Sequence, residues 1–163
     1  MNTLHLVSHT HWDREWYLTF QQFRLKLVVL VDNLLEILDH DPHYEHFMLD
    51  GQTSVLDDYL TMRPEKVEKL RHYIRTGRII IGPWHILPDE FLVSPEATIR
   101  NLLQGKQTCQ DFGPKMEVGY IPDPFGHIGQ MPQILRGFNI HSAAFRRGLS
   151  TEPCELWWQS PDG

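Results

Sequence analysis

Five short apolar runs alternate with longer helical stretches along this chain, and that alternation constrains its fold more than any other feature. The runs are TLHLVS (3–8), HFMLD (46–50), RIIIG (78–82), MEVGYIPD (116–123) and SAAFRR (142–147). Between the first two, Phe23, Leu27, Leu30, Leu34 and Leu38 recur at helical spacing. TSVLDDYL and PEKVEKLRHYIRTG read as the next helices. In the second of these Pro64 takes a first helical position, Val67, Leu70 and Ile74 share a face, and Gly77 lies past the end. SPEATIRNLLQGKQTCQDFG adds a helix with Ser94 as N-cap, Pro95 at its first position and Gly113 as terminator. GQMPQILRGF gives a short one before the fifth run. A helix that returns the chain between strands makes neighbouring strands parallel. RIIIG is apolar without interruption, as a strand buried on both faces must be. The pattern predicts one α/β domain, or part of one, with a parallel sheet that is either doubly wound or closed as a barrel.

Polar clusters fall at one edge of that sheet. HTHWDRE follows the first strand, DGQ the second, PWHILPDE the third and PDPFGH the fourth. In parallel α/β folds the loops at the carboxyl ends of the strands converge on the ligand. Four successive units with acids and histidines there predict an active site.

Alternate residues of an extended segment face one side, so His9, His11 and Asp13 can share a face. Imidazole and carboxylate are both zinc donors, and an extended chain can bring at most two of these three to one ion. Asp123 stands between two prolines that restrict its backbone. A carboxylate held so stiffly suits metal ligation or in-line attack, or it caps the helix that begins near Ile128. Asp89 and Glu90 are adjacent and therefore point apart, so one is placed to bond a substrate hydroxyl and the other to be solvated or a cap. Asp50 reads equally as a ligand contact or as a turn former before Gly51. Arg14 and Glu15 read as surface ion-pair formers. Trp12, Trp16 and Trp84 sit beside these loops, as sugar-stacking faces or as core.

Composition narrows the partners. Fifteen Lys and Arg against 21 Asp and Glu give a net charge of −6, which disfavours nucleic acid and anionic membrane as partners. No apolar stretch approaches the roughly 18 residues needed to span a bilayer. Cys109 and Cys154 form no CxxC pattern and read as reduced thiols. Together with the absence of a signal-peptide pattern, this predicts a soluble cytoplasmic protein. Trp157 and Trp158 read as the start of a further strand, which predicts that the chain is a piece of something longer.

Taken in order, HTHWDREWY, DGQT, PWHILPDE and PDPFGHIGQMPQIL resemble the N-terminal part of the glycoside hydrolase family 38 α-mannosidases, over about residues 4 to 145. The resemblance implies a parallel (β/α) barrel of about seven strands, of which some five lie here, with helical and β domains further on. It implies Zn²⁺ held by His11, Asp13 and Asp123, with His9 a neighbouring structural histidine. It makes Asp123 the nucleophile of a retaining hydrolysis of α-mannosides, and it places the last zinc ligand and the acid/base carboxylate in later sequence. Residues 1–163 alone are therefore expected to be nearly inactive. The expected partner is a mannose-containing small saccharide or glycoside, with Trp12, Asp89 and Glu90 as substrate contacts. D-R-E-W, where eukaryotic glycoprotein-trimming members carry D-P-G-W, resembles bacterial members acting on mannosylglycerate-type or short mannosides. Two rival readings are a metal-dependent amidohydrolase or phosphoesterase, and a non-catalytic domain that binds sugar or metal.

Overall fold

A computed structural model of the chain describes residues 3–150 and 154–163. Five helices and five short strands alternate as the spacing predicts. In chain order they are β1 (Ser8–His9), α1 (Phe20–His40), β2 (Phe47–Met48), α2 (Ser54–Met62), α3 (Val67–Arg75), β3 (Ile79–Ile80), α4 (Pro95–Phe112), β4 (Gly119–Ile121), α5 (Met131–Gly137) and β5 (Ala143–Phe145). A 3₁₀ turn over Pro64–Lys66 leads into α3. The strands pair in parallel in two small sheets, β1-β2-β3 and β4-β5. Ser8 faces Phe47 and Phe47 faces Ile79, while Gly119 faces Ala143. The strands are shorter than the apolar runs suggest. Residues 3–7 pair with nothing among the described residues, and Leu4 and Leu6 are exposed. Trp157 and Trp158 begin no strand; Trp158 instead lies edge-on to Phe145 at 5.8 Å.

Helix α1 buries the stripe that its periodicity marks: Leu27, Leu34 and Leu38 are covered, with Val31 and Leu35 beside them. Its first turn is closed by Gln22, whose Oε1 accepts the Thr19 N–H at 3.1 Å. The stripe packs with α2, α3 and β3 in one core that includes Leu56, Leu70, Ile74 and Ile79. A second core gathers Trp84, Leu102, Ile121, Met131, Leu135 and Ile140 around α4, α5 and β4. Trp84 is fully buried and donates its indole N–H to the Tyr120 carbonyl at 2.9 Å, so it serves the core rather than a ligand. Among the described residues no helix is long and apolar enough to cross a membrane.

Helix α4 presses Gly105 against the segment after β3. A Cβ there would stand 2.2 Å from the Pro83 carbonyl oxygen and 2.5 Å from the Trp84 carbonyl carbon. Asn101, one turn earlier, binds the same segment, accepting the amides of His85 and Ile86 at 2.8 and 3.0 Å. Replacing a helical glycine by alanine ordinarily gains about 1 kcal/mol. Here the obstacle is backbone held from both sides, and overpacking of this kind costs about 1–3 kcal/mol or more. Gly105→Ala is therefore expected to lower the urea midpoint of unfolding, and an unchanged or raised midpoint would contradict this packing.

Candidate active site

The four polar clusters do converge. His9 at the end of β1, and His11 and Asp13 after it, line a cleft of about 830 Å³ with Asp89 after β3 and Asp123 after β4. The three residues of the H-x-H-x-D run thus face one side, as an extended segment requires. His9 places its Nδ1 3.2 Å from the carbonyl of Thr10.

His11 is the centre of the arrangement. Its Nε2 lies 3.7 Å from Asp13 Oδ1 and 3.8 Å from Asp123 Oδ2. Its Nδ1 lies 3.3 Å from Asp50 Oδ1. These carboxylates hold the His11 imidazole above its ordinary pKa, the hydrogen bond to Asp50 first, against the opposing pull of burial. Asp50 is completely buried beneath the site. Its Oδ2 accepts the Trp12 backbone N–H at 2.5 Å and the Gln52 amide at 2.9 Å. Gln52 also donates to the Trp12 carbonyl at 2.7 Å and accepts the Leu87 N–H at 3.2 Å, joining the loops after β1, β2 and β3. The turn that puts Asp50 there is left-handed at both Asp50 (φ 48°) and Gly51 (φ 65°). A Cβ on Gly51 would meet the Tyr120 ring at 2.7 Å, so glycine is required. Asp50 is therefore a turn former and a support for His11 at once.

Asp123 divides its carboxylate between two neighbours. Oδ2 faces His11, while Oδ1 pairs with the Arg147 guanidinium, 2.9 Å from its Nε. The same guanidinium donates to the Asp123 carbonyl at 3.1 Å and lies over the Phe125 ring. Asp123 does not cap α5, which begins at Met131 with Gln130 as its N-cap. Asp89 reaches the cleft, and its Oδ1 is buried with no hydrogen-bond partner among the described residues. Glu90 turns the other way into the interior. It accepts the Ile128 N–H at 2.8 Å and meets His127 Nδ1 at 2.8 Å. Burial pushes the Glu90 carboxyl up, opposed by those two bonds. The ring of Trp12 packs edge-on to Phe23, 5.9 Å away, whereas Trp16 is exposed and lines the cleft. Arg14, expected as a surface ion pair, instead grips the buried Asp58 with two bonds of 2.7 Å and fixes the loop after β1 to α2.

Three residues escaped the sequence reading. Arg147 stands at the end of the fifth apolar run, the position that marks a site residue after the other four. Gln52 stood unremarked inside DGQ, and His127 inside PDPFGH with no role of its own.

The donor set fits a zinc ion in its chemistry. One imidazole nitrogen stands beside two carboxylate oxygens, and neighbouring donors around a tetrahedral zinc stand about 3.3 Å apart. The separations of 3.7 and 3.8 Å are looser than that, and no three such side chains among the described residues close into a compact ligand group. A buried carboxylate behind the far nitrogen of a ligating histidine is the usual support of such a site.

The family model described as the glycosyl hydrolases family 38 N-terminal domain matches residues 1–163. A protein of Halalkalibacterium halodurans provisionally named mannosylglycerate hydrolase is 47% identical over 99% of this chain and 20% of its own length. Human alpha-mannosidase 2C1 is 27% identical over 85% of the chain and 13% of its own length. The crystal structure of an alpha-mannosidase from Enterococcus faecalis V583 superposes with a TM-score of 0.84 at 47% identity, covering 85% of this chain and 16% of that one. The chain thus spans about a fifth of the length of the first of these relatives. It belongs to the glycosyl hydrolase family 38 N-terminal domain family and is homologous to α-mannosidases.

Proposed function

We propose that this chain carries the nucleophile and most of the metal site of a zinc-dependent retaining α-mannosidase, acting on mannosylglycerate-type or other short mannosides. The two parallel sheets are read as consecutive parts of one (β/α) barrel. The isolated parallel bridge between Ile81 and Lys115, which joins the β3 segment to the approach to β4, supports that continuity. The observation that carries the functional reading is the divided carboxylate of Asp123. Arg147 holds one oxygen, the other faces His11, and the group opens on the cleft.

In this reading Asp123 attacks the anomeric carbon as the glycosidic bond breaks. The leaving oxygen takes a proton from an acid carboxyl, and water then releases mannose from the glycosyl-enzyme. Arg147 keeps Asp123 aimed. Asp89, with a buried oxygen that lacks a partner, is suited to accept a sugar hydroxyl. Zinc, when held by His11, Asp13 and Asp123, supplies Lewis acidity and a template for the sugar hydroxyls.

The stereochemistry of the product tests the reaction class. The native polypeptide that carries this chain is expected to release α-mannose first, seen by proton NMR before mutarotation mixes the anomers. Release of β-mannose first, or no turnover of any α-mannoside by zinc-loaded protein, would overturn the reading.

A further inference from the structure

Glu90 and His127 form a buried pair that the proposed chemistry does not use. Their side chains are 0% and 3% exposed. His127 Nε2 lies 2.9 Å from the Arg147 carbonyl oxygen. A carbonyl only accepts, so Nε2 carries a hydrogen and donates it. His127 Nδ1 shares a proton with Glu90 Oε1 at 2.8 Å, and Glu90 Oε2 holds the Ile128 N–H. Phe145 and Trp158 wall the imidazole, with ring centroids 4.6 and 5.2 Å away. Gly148 takes a left-handed φ of 98°, and a Cβ there would stand 2.8 Å from His127 Nε2. The backbone beside Arg147 is thus shaped to admit the ring.

These bonds link successive strand ends. Glu90 follows β3, His127 follows β4, Arg147 follows β5, and the Arg147 guanidinium returns to Asp123. We propose that Glu90 and His127 are positioning residues of the reaction, a buried clamp that fixes the Arg147 backbone so that its guanidinium orients Asp123. The clamp rests on the mannosidase reading for its purpose but not for its geometry. A carboxylate misplaced by about 1 Å can lose on the order of 100-fold in rate, so packing around Asp123 alone does not suffice without a fixed origin for Arg147.

The test uses two variants in the native polypeptide. His127→Phe keeps an aromatic ring between Phe145 and Trp158 and removes both hydrogen bonds. Glu90→Gln keeps both, because its carbonyl can accept the Ile128 N–H while its amide donates to Nδ1 of a neutral His127. His127→Phe is expected to lower kcat on an aryl α-mannoside by about 10- to 100-fold with KM changed by less than about 3-fold. It is also expected to lose the protected Arg147 guanidinium Nη–H signal in nitrogen-15 NMR, which reads the bond to the Asp123 carbonyl. Glu90→Gln is expected to restore both to near the wild-type values. Should His127→Phe not fold, Gly148→Ala displaces the same imidazole from outside and is expected to give the same two losses. The proposal is overturned if folded His127→Phe, or Gly148→Ala in its place, keeps the Arg147 signal. It is likewise overturned if Glu90→Gln loses as much kcat as His127→Phe. Wild-type protein without mannoside turnover would sink the mannosidase reading instead, and the Arg147 signal would still decide the clamp.

Discussion

Asp123→Asn is expected to lower kcat on an aryl α-mannoside by about 10⁴-fold, the scale on which enzymes lose rate when a covalent nucleophile is removed. The substitution removes the nucleophilic oxygen and, in this scheme, one zinc ligand, and leaves the shape of the loop unchanged. Asparagine has the shape of aspartate, and its carbonyl oxygen can still face the Arg147 guanidinium, whose Nε now lies 2.9 Å from Oδ1. The main-chain bond from Arg147 to the residue 123 carbonyl does not depend on the side chain. Asp123 is also half-exposed at the cleft rather than packed in either core, so the melting temperature is expected to stay near that of the wild type. What asparagine lacks is a negative oxygen able to bond the anomeric carbon. A kcat within about 10-fold of wild type would show that another group attacks. A large fall in kcat together with a large fall in melting temperature would point to a structural role instead.

The architecture was legible where a helix carries its own start and stop. Ser94 accepts the Ala97 N–H and Pro95 follows it, so α4 begins where the sequence puts it. The strand lengths were not legible. An apolar run of six residues records which stretch is extended, whereas pairing depends on a neighbour, and Leu4 and Leu6 have none among the described residues. In the site, His11, Asp13, Asp89 and Asp123 were marked by a simple signal: polar residues directly after apolar strands. The supports beneath them carry no such signal. Asp50 looked like any Asp-Gly turn, and only the fold shows that the turn points its carboxylate at His11 from 39 positions away. Arg147 is separated from Asp123 by a helix and a strand, a distance that no local pattern spans.

Metal affinity should follow the same division between ligands and supports. His11→Ala and Asp13→Ala are expected to abolish stoichiometric zinc binding by the native polypeptide, and His9→Ala to retain it. Asp50→Asn is expected to weaken binding by about 10- to 100-fold although Asp50 touches no metal in this scheme. The sign follows from hydrogens. In Asp50→Asn the side-chain oxygen is claimed at the Oδ2 position, where the Trp12 N–H and the Gln52 amide both donate. The new NH₂ group therefore takes the Oδ1 position, 3.3 Å from His11 Nδ1, and must donate to it. That bond selects the tautomer with the proton on Nε2, the nitrogen facing Asp13 and Asp123. The lone pair a metal requires is then on the wrong side of the ring. Metal competition titration reads the affinity, and histidine nitrogen-15 shifts of the metal-free variant read the tautomer directly. Unchanged affinity with the proton found on Nε2 would remove His11 from the ligand set. Unchanged affinity with the proton still on Nδ1 would instead mean that the Trp12 loop, rather than Asp50, orients the ring.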